Sequence, residues 1–302
     1  MDNMDIESLK AFNAVCESGS FSLAAEQLHI TQPAVSKRIA LLEERLQSRL
    51  FDRIGRRIQL TQAGKELLPR AQGILGQLED TKRAIHNLSG SVNGRLVLAT
   101  NHHVGIWRLP MILKDYTQQY QEVRMDLRFM DSAKAYEAII LGDVEVAIIT
   151  LAPNPEHNIY SLPIWQDQLR FVCAKDHPLA GKTPALLQDL SLHPAILPDE
   201  TTFTGNIAQQ LFADHNLDLQ VVMSTNYHET IKTLVSVGLG WSVLPESMTD
   251  DTVHKLELRD INISRTLGVI RHAERTISNP ATEFINLLTN NADPDLRDQE
   301  WR

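Results

Sequence analysis

Two helical stretches near the start of the chain are separated by only three residues, His29 to Thr31. Apolar residues recur at helical spacing on both sides of this connection, first in 21–28 and then beyond Thr31. Ser20 and Thr31 are suitable N-cap residues, and Pro33 suits the first turn of the second helix. Because so short a connection makes consecutive helices cross steeply, the chain is predicted to begin with a helix-turn-helix.

An alternating segment, 50–60, follows these helices and turns around Gly55, which predicts a β-hairpin, or wing. A long amphipathic helix is predicted from Thr61 to about Leu88. Its apolar stripe consists of Ala63, Leu67, Leu68, Ala71, Ile74, Leu75, Leu78 and Ile85. A helix of this length cannot bury the whole stripe against one small domain. The stripe therefore predicts pairing with the same helix of a second subunit.

A polar, glycine-rich segment, 89–94, is interpreted as a linker, and strands and helices alternate after it. The predicted strands are 95–100, 123–129, 144–151, 169–174, 219–224, 240–244 and 266–271. The predicted helices are 109–119, 133–141, 204–215, 228–237 and 280–289. This alternation indicates parallel sheets with crossover helices in two α/β lobes, and the last strand and helix are expected to return to the first lobe.

The charge of the chain is unevenly distributed. The net charge of -9 would argue against a nucleic-acid partner, but residues 1–90 carry +1 and the remainder carries -10. Within 37–57, seven basic residues stand against three acidic ones. A polyanion is therefore expected to bind this part of the chain.

The second helix of the predicted motif has the side chains of a DNA-reading helix. Gln32 and Ser36 share a face, Gln can pair with an adenine edge, and the Pro33 ring can contact a thymine methyl. The predicted DNA contacts are Ser20, Thr31, Gln32, Pro33, Ser36, Lys37, Arg38, Arg53, Arg56 and Arg57, with the last three on the wing. The alternative is a solvated three-helix surface whose basic residues only keep the domain soluble.

Residues 4–66 closely resemble the winged helix-turn-helix of LysR-type transcriptional regulators. The resemblance is carried by FSLAAEQLHITQPAVSKRI from Phe21, and by LLEERL, LFDR and LTQAG after it. The remainder is similar to the effector domain of the same family, with landmarks at 109–110, 141–143 and 237–245.

The resemblance implies an α+β winged helix-turn-helix domain, a long linker helix, and a C-terminal α/β two-lobed effector domain resembling periplasmic binding proteins. The expected boundaries are 1–61, 62–89 and 90–302, with one lobe at about 94–164 and 266–302 and the other at about 165–265. It also implies a homodimer or homotetramer that binds promoter DNA, acts on RNA polymerase at the promoter, and holds a small effector, often an anion, between the lobes.

Effector contacts are carried over from the resemblance by position. They are Thr100, Asn101, His102, His103, Thr150, Thr202, Phe203, Thr204 and Asn226, with His228 a weaker candidate. His103 departs from the family, which frequently has Ser or Thr there, and an imidazole would add a donor or a charge that depends on pH. Two alternatives remain open: a surface histidine pair at 102–103, and a purely capping role for Thr202 and Thr204.

Enzyme motifs are missing from the sequence: it has no HExxH, GxSxG, P-loop or GxGxxG. No catalytic residue, cofactor or metal site is predicted. The acidic N-terminus has no charged-then-apolar leader and no apolar run reaches 18 residues, so the cytoplasm is expected. The rival interpretations are a solute-binding protein, which would need an export signal, and an enzyme carrying a DNA-binding arm.

Overall fold

The computed structural model describes residues 5–54, 57–154, 157–297 and 299–301. The chain divides into two compact units, Met1–Leu88 and Ser89–Arg302, which are described separately. In the described part of the chain, no helix combines the length and apolar character needed to span a membrane.

The first unit contains a helix-turn-helix followed by a hairpin and a long helix. Its helices are α1 (Ile6–Ser18), α2 (Phe21–Gln27), α3 (Gln32–Leu46) and α4 (Gln62–Asn87). The strands β1 (Phe51–Ile54) and β2 (Arg57–Leu60) pair antiparallel, as the alternating segment predicts. Ser20 and Thr31 are N-caps and accept hydrogen bonds from the amides of Leu23 and Ala34.

The core of this unit lies where the three short helices cross, and the largest buried side chains there are Leu9, Phe12, Leu42 and Leu50. The carboxylate of Glu43 on α3 accepts from the amide of Leu50 at 2.7 Å and so fixes the entry to the hairpin. Gly64 lets α4 approach this point, because a Cβ there would lie 2.3 Å from the carbonyl oxygen of Leu50.

Part of the apolar stripe on α4 is used within the unit. Ala71 is buried, and Leu67, Leu68 and Leu75 pack against the same core. Farther along, Ile85 is 66% exposed and Leu88, just after the helix, is 83% exposed. The core of this unit therefore covers the first half of the stripe and leaves the second half open.

The second unit is built on one curled seven-stranded sheet and a separate two-stranded sheet. Its strands are β3 (Gly94–Thr100), β4 (Val123–Phe129), β5 (Val146–Thr150), β6 (Ile159–Cys173), β7 (Ala195–Leu197), β8 (Val221–Ser224), β9 (Ser242–Pro245), β10 (His254–Leu256) and β11 (Ile263–His272). Its helices are α5 (His102–Trp107), α6 (Pro110–Gln119), α7 (Ser132–Leu141), α8 (Leu187–Ser191), α9 (Phe203–Asp214), α10 (His228–Ser236) and α11 (Asn279–Asn290).

The prediction of parallel sheets holds for only part of the strands, including β7 and β8, which pair parallel in the smaller sheet. The order in the larger sheet is β10-β6-β11-β5-β3-β4, with β9 also on β6. β3 is parallel to β4 and β5, but β11 runs antiparallel to both β5 and β6, and β6 runs antiparallel to β9 and β10. β6 is 15 residues long and begins at Ile159, well before the strand predicted at 169–174. Pro163 and the polar stretch at 166–168 interrupt the apolar pattern, so the first part of the strand was not recognised in the sequence.

The two larger hydrophobic cores of this unit define two lobes. The first lobe is centred on Leu96, Ile148 and Phe284, and the second on Phe212 and Trp241. β6 and β11 contribute to both cores, so these two strands are the connection between the lobes. As predicted, α11 returns to the first lobe, where it packs on α6 and β3.

Candidate functional site

The N-terminal half of α3 presents polar side chains at the surface. Gln32, Pro33 and Lys37 are exposed, and the side chain of Gln32 donates a hydrogen bond to the hydroxyl of Ser36 at 2.9 Å. This bond shows that Gln32 and Ser36 lie on one face of the helix. The Gln32 amide keeps its carbonyl oxygen and second N–H available for another partner.

Of the other predicted DNA-contact residues, some have partners within the chain and some lie outside the residues that the structure describes. Arg38 forms an ion pair with Glu7 of α1 at 3.1 Å. Arg53 and Arg57 belong to the strands of the hairpin, but their side chains and all of Arg56 lie outside the described part of the chain.

In the second unit, a cavity of about 340 Å³ opens between the two lobes. It is lined by eight of the nine residues that the resemblance brought together as effector contacts: Asn101, His102, His103, Thr150, Thr202, Phe203, Thr204 and Asn226. Thr100 is fully buried outside the cavity, where its hydroxyl donates to the carbonyl of Ile148 at 2.8 Å.

Three helices of nine or more residues begin at this cavity: α7, α9 and α10. Their N-cap residues Asp131, Thr202 and Tyr227 all line it. Thr202 caps α9 by accepting from the amide of Gly205 at 3.0 Å, whereas α7 and α10 have no side-chain cap bond. The first-turn N–H groups and positive dipole ends of these helices therefore favour a negative charge in the cavity.

Asn101 has a local role. Its side chain accepts from the amide of Val104 at 2.9 Å and caps α5, a six-residue helix that precedes α6. The sequence predicted a single helix from residue 109 and treated 100–103 as the turn before it. The structure instead places His102 and His103 in the first turn of α5, so that their side chains diverge.

A buried ion pair lies at one end of the cavity, on the two strands that connect the lobes. Arg265 of β11 is the register partner of Asp167 of β6. The guanidinium Nε donates to Asp167 Oδ2 at 2.9 Å, and Nη1 donates to the hydroxyl of Thr204 at 2.7 Å. Thr204 is thus occupied as a partner of Arg265, whereas Thr202 has the capping role.

Each lobe contributes further groups to this ion pair. From the first lobe, His103 Nε2 lies 3.4 Å and Arg108 Nη2 lies 3.6 Å from the Asp167 carboxylate. From the second lobe, Thr204 and His228 face the guanidinium, and His228 Nε2 lies 3.5 Å from Nη1. The Asp167–Arg265 pair therefore contacts both lobes and depends on how they are arranged.

Burial and charge determine protonation here. Burial raises the pKa of Asp167, but His103 and the positive charge of Arg265 outweigh this effect and lower it to about 2. Burial, supported by the charge of Arg265, lowers the pKa of His228 to about 3. Burial also holds the pKa of His103 below its usual range. Near neutral pH the carboxylate is therefore charged and both imidazoles are neutral.

Aromatic side chains and two hydrogen bonds join the lobes at the mouth of the cavity. The His102 ring lies 5.2 Å from Phe129 of the first lobe and 5.0 Å from Tyr227 of the second. Trp107 donates to Glu229, and Asn226 donates to Asp131. The sequence placed Asn226 in the site but gave it no partner.

Asp167 and Arg265 were missed from the sequence although a signal was present. Asp167 falls in the same alternation phase as the buried Leu169 and Phe171, and Arg265 in the phase of Leu267. A charge on the inward face of a strand is rare unless it is paired. The strands were predicted to begin only after these residues, so this phase was not visible.

Within the described ranges, no three His, Cys, Asp or Glu side chains come together in a way that would hold a metal ion.

Comparison with known families decides the identity of the chain. Residues 6–65 match the family model of the bacterial regulatory helix-turn-helix protein, lysR family, and residues 89–293 match the LysR substrate binding domain. The chain belongs to the LysR family of transcriptional regulators. The resemblance and the two-part fold expected from the sequence are confirmed, and the family consists of regulators rather than enzymes.

Curated relatives of this LysR-type regulator have the same character. A probable RuBisCO transcriptional regulator of Synechocystis is 29% identical over 307 residues, which cover 98% of this chain and 89% of the relative. An uncharacterised HTH-type transcriptional regulator of Azotobacter vinelandii is 66% identical over 107 residues, covering 35% of this chain and 74% of the relative.

Solved structures share the fold. Full-length OxyR from Pseudomonas aeruginosa aligns with a TM-score of 0.71 at 20% identity, covering 96% of this chain and 94% of OxyR. CbnR, solved with its target DNA, aligns with a TM-score of 0.64 at 21% identity, covering 95% of this chain and 100% of CbnR. The effector binding domain of QuiR in complex with shikimate aligns with a TM-score of 0.59 at 21% identity, covering 65% of this chain and 95% of the QuiR domain. The two family matches show that this chain is a DNA-binding regulator with an effector-binding domain.

Proposed function

We propose that this LysR-type regulator responds to a small anionic effector bound in the interlobe cavity. The observation that carries the proposal is the convergence of three helix N-termini, two of them without a side-chain cap bond, with the buried Arg265 guanidinium. Lys134 and the acidic Asp131 also line the cavity, and Asp167 is the ion-pair partner of Arg265. The helix ends and the two cations outweigh these carboxylates, so an anion is favoured over a neutral molecule.

The contacts proposed for the effector are the cavity-lining residues of the predicted set. Thr100 is proposed only as support, because its hydroxyl is bonded to Ile148. The charge of the effector is tested with a pair of molecules that differ only in one group, a carboxylate in the first and a neutral amide in the second. Shikimate, which QuiR holds, is a reasonable first anion, with shikimic amide as its matched control. Calorimetric titration of the full chain should detect binding of the carboxylate member of such a pair and not of its amide. Equal binding of both members would contradict an anionic effector.

The proposed DNA contacts follow α3 and the hairpin. Gln32, Pro33 and Ser36 read base edges, Lys37 and the wing residues Arg53, Arg56 and Arg57 contact phosphates or the minor groove, and Ser20, Thr31 and Arg38 lie beside them. CbnR, which shares the fold, is solved on its target DNA. Binding is tested by fluorescence anisotropy with a duplex from upstream of the chain's own gene and a scrambled duplex over a salt series. Equal affinities for the two duplexes would remove the support for specific recognition.

The functional division proposed for the chain is a DNA-binding domain at 1–61, a linker helix at 62–89 and an effector-binding domain at 90–302. The exposed second half of the α4 stripe supports association into a homodimer or homotetramer. The proposal places this oligomer in the cytoplasm, where it acts on RNA polymerase at the promoter. The effector acts by binding one arrangement of the two lobes more tightly than another, which shifts the equilibrium between them. Asp167 and Arg265 sense this arrangement because groups of both lobes contact them.

A further inference from the structure

His103 is a buried polar side chain with unfulfilled hydrogen-bonding capacity. It is 3% exposed, it lines the cavity, and within the described part of the chain neither Nδ1 nor Nε2 has an aligned hydrogen-bond partner. Nε2 is 3.4 Å from Asp167 Oδ2, which is close enough for an ionic contact but not aligned for a hydrogen bond. Because His103 lines the cavity, a ligand bound there can provide a partner for the imidazole.

The charged and titratable groups around His103 come from every element packed on it. They are Asp167 of β6, Arg265 of β11, Arg108 after α5, His228 of α10, His102 beside it on α5, and Asp131 and Lys134 at the start of α7. Burial, Arg265 and Arg108 oppose a charge on His103, while Asp167 favours it. An anion added to this set moves the balance toward the imidazolium.

Of the two stacked imidazoles, His103 is the better proton acceptor. The rings lie 5.7 Å apart, but their neighbours differ. His103 faces the Asp167 carboxylate, whereas His228 Nε2 faces the Arg265 guanidinium at 3.5 Å and accepts from it. A proton on His228 would place two cations against each other, and a proton on His103 lies between two anions once a ligand is bound.

We propose that His103 takes up one proton from bulk water when an anion enters the cavity, and that the imidazolium then donates toward both Asp167 and the anion. The proposal rests on the proposed effector cavity and deepens it. No covalent bond of the ligand changes, and the only transfer is the proton from solvent to the imidazole. The preferred effector class is an anion that is bound together with a proton, so its affinity increases as the pH falls.

Sulfate is a suitable probe because its charge is constant over the relevant range of about pH 5.5 to 8. Sulfate is titrated into the full chain by calorimetry in two buffers with different ionisation enthalpies. The difference in apparent heat gives the number of protons taken up, which is expected to approach one. Above the pKa that His103 has in the protein without sulfate, the dissociation constant of sulfate is expected to increase by up to about tenfold per pH unit.

Three variants locate the proton. His103→Gln keeps hydrogen-bonding groups but cannot titrate, so its sulfate binding should lose the proton uptake. His215→Gln, at an exposed residue outside the cavity, should behave as the wild type. His102→Gln should keep the uptake whatever happens to the affinity. Uptake that disappears in His102→Gln and persists in His103→Gln would overturn the proposal.

The wild-type titration decides the matter even if His103→Gln does not fold. Sulfate that binds without proton uptake overturns the role of His103 and leaves the anionic effector intact. Sulfate that does not bind at any pH in this range overturns the proton-coupled site together with the anionic effector, while DNA binding by α3 is unaffected. Uptake of about one proton, lost only in His103→Gln, supports the proposal.

Discussion

Arg265 and Asp167 face each other across the antiparallel strands β6 and β11, with the guanidinium Nε donating to the carboxylate at 2.9 Å. Both side chains are almost completely buried. They lie where the chain passes between two lobes, and each is contacted by groups of a different lobe. A single ion pair thus links the effector cavity to the strands that connect the lobes.

Removing one partner of this ion pair should strongly destabilise the fold. Arg265→Met leaves the Asp167 carboxylate buried without its cation, and the free energy of unfolding should fall by about 3 to 5 kcal/mol. Urea unfolding of the full chain measures this. Arg170→Met, which breaks an exposed ion pair with Glu246, is the matched control and should cost less than about 1 kcal/mol. Similar losses in both variants would contradict the buried pair's role.

The buried histidines should make stability depend on pH. The pKa of His228 is lowered from 6.5 to about 3, so the unfolded chain binds its proton more readily than the folded chain. Stability is therefore full above about pH 6.5 and is lost as the pH falls toward 3. At about pH 5 the loss from His228 is roughly 2 kcal/mol. Asp167, with a pKa near 2, contributes a loss only below about 3.8.

This pH dependence is measured by urea unfolding at pH 7 and at about pH 5. His228→Gln keeps an acceptor toward Arg265 but does not titrate, so its stability should change less between the two pH values. His215→Gln, at an exposed residue, should keep the wild-type difference. An unchanged pH dependence in His228→Gln would assign the effect to other groups.

Base reading and phosphate contact should separate experimentally on α3. Gln32→Ala removes a side chain that reads a base edge and should weaken specific binding by about 1 to 3 kcal/mol, with little effect on scrambled DNA. Lys37→Ala should weaken binding to both duplexes and reduce the salt slope by about one. Lys82→Ala, on an exposed lysine paired with Glu79 of α4, is the control. Loss of Gln32 with no change in specificity would exclude it as a reader.

The exposed end of the α4 stripe should be an association surface. Ile85→Lys places a charge on the apolar face and should shift the oligomer toward the monomer in analytical ultracentrifugation. Glu79→Lys introduces the same residue roughly a third of a turn around the helix and should leave the association state unchanged. If both variants keep the wild-type molecular mass, this face does not hold subunits together.

Two glycines of α4 should respond in opposite ways to the same substitution. Gly64→Ala places a Cβ 2.3 Å from the carbonyl of Leu50, so the unit should lose about 1 to 3 kcal/mol of stability. A Cβ added by Gly73→Ala meets no heavy atom within 4 Å, so the better helix propensity of Ala should raise the free energy of unfolding by about 0.5 to 1 kcal/mol. Thermal unfolding of the two variants distinguishes these effects. Destabilisation by both would indicate a general intolerance of α4.

The N-terminal unit was predictable because local signals determine it. The three-residue connection, the caps Ser20 and Thr31 and the alternation around residue 55 each specify a nearby backbone geometry, and the structure shows those helices and strands where they were expected. The effector contacts lie in four separate segments, and only positional likeness to a family placed them together before the structure did.

The sequence alone determined the helices of the helix-turn-helix with their caps, and which face of α4 is apolar, because these depend on neighbours a few residues apart. Only the tertiary structure decided that β6 and β11 run antiparallel between two cores, and that Asp167 and Arg265 meet there although 98 residues separate them along the chain. Strand direction and the pairing of buried charges depend on long-range packing. Local periodicity does not encode which distant strand will lie alongside.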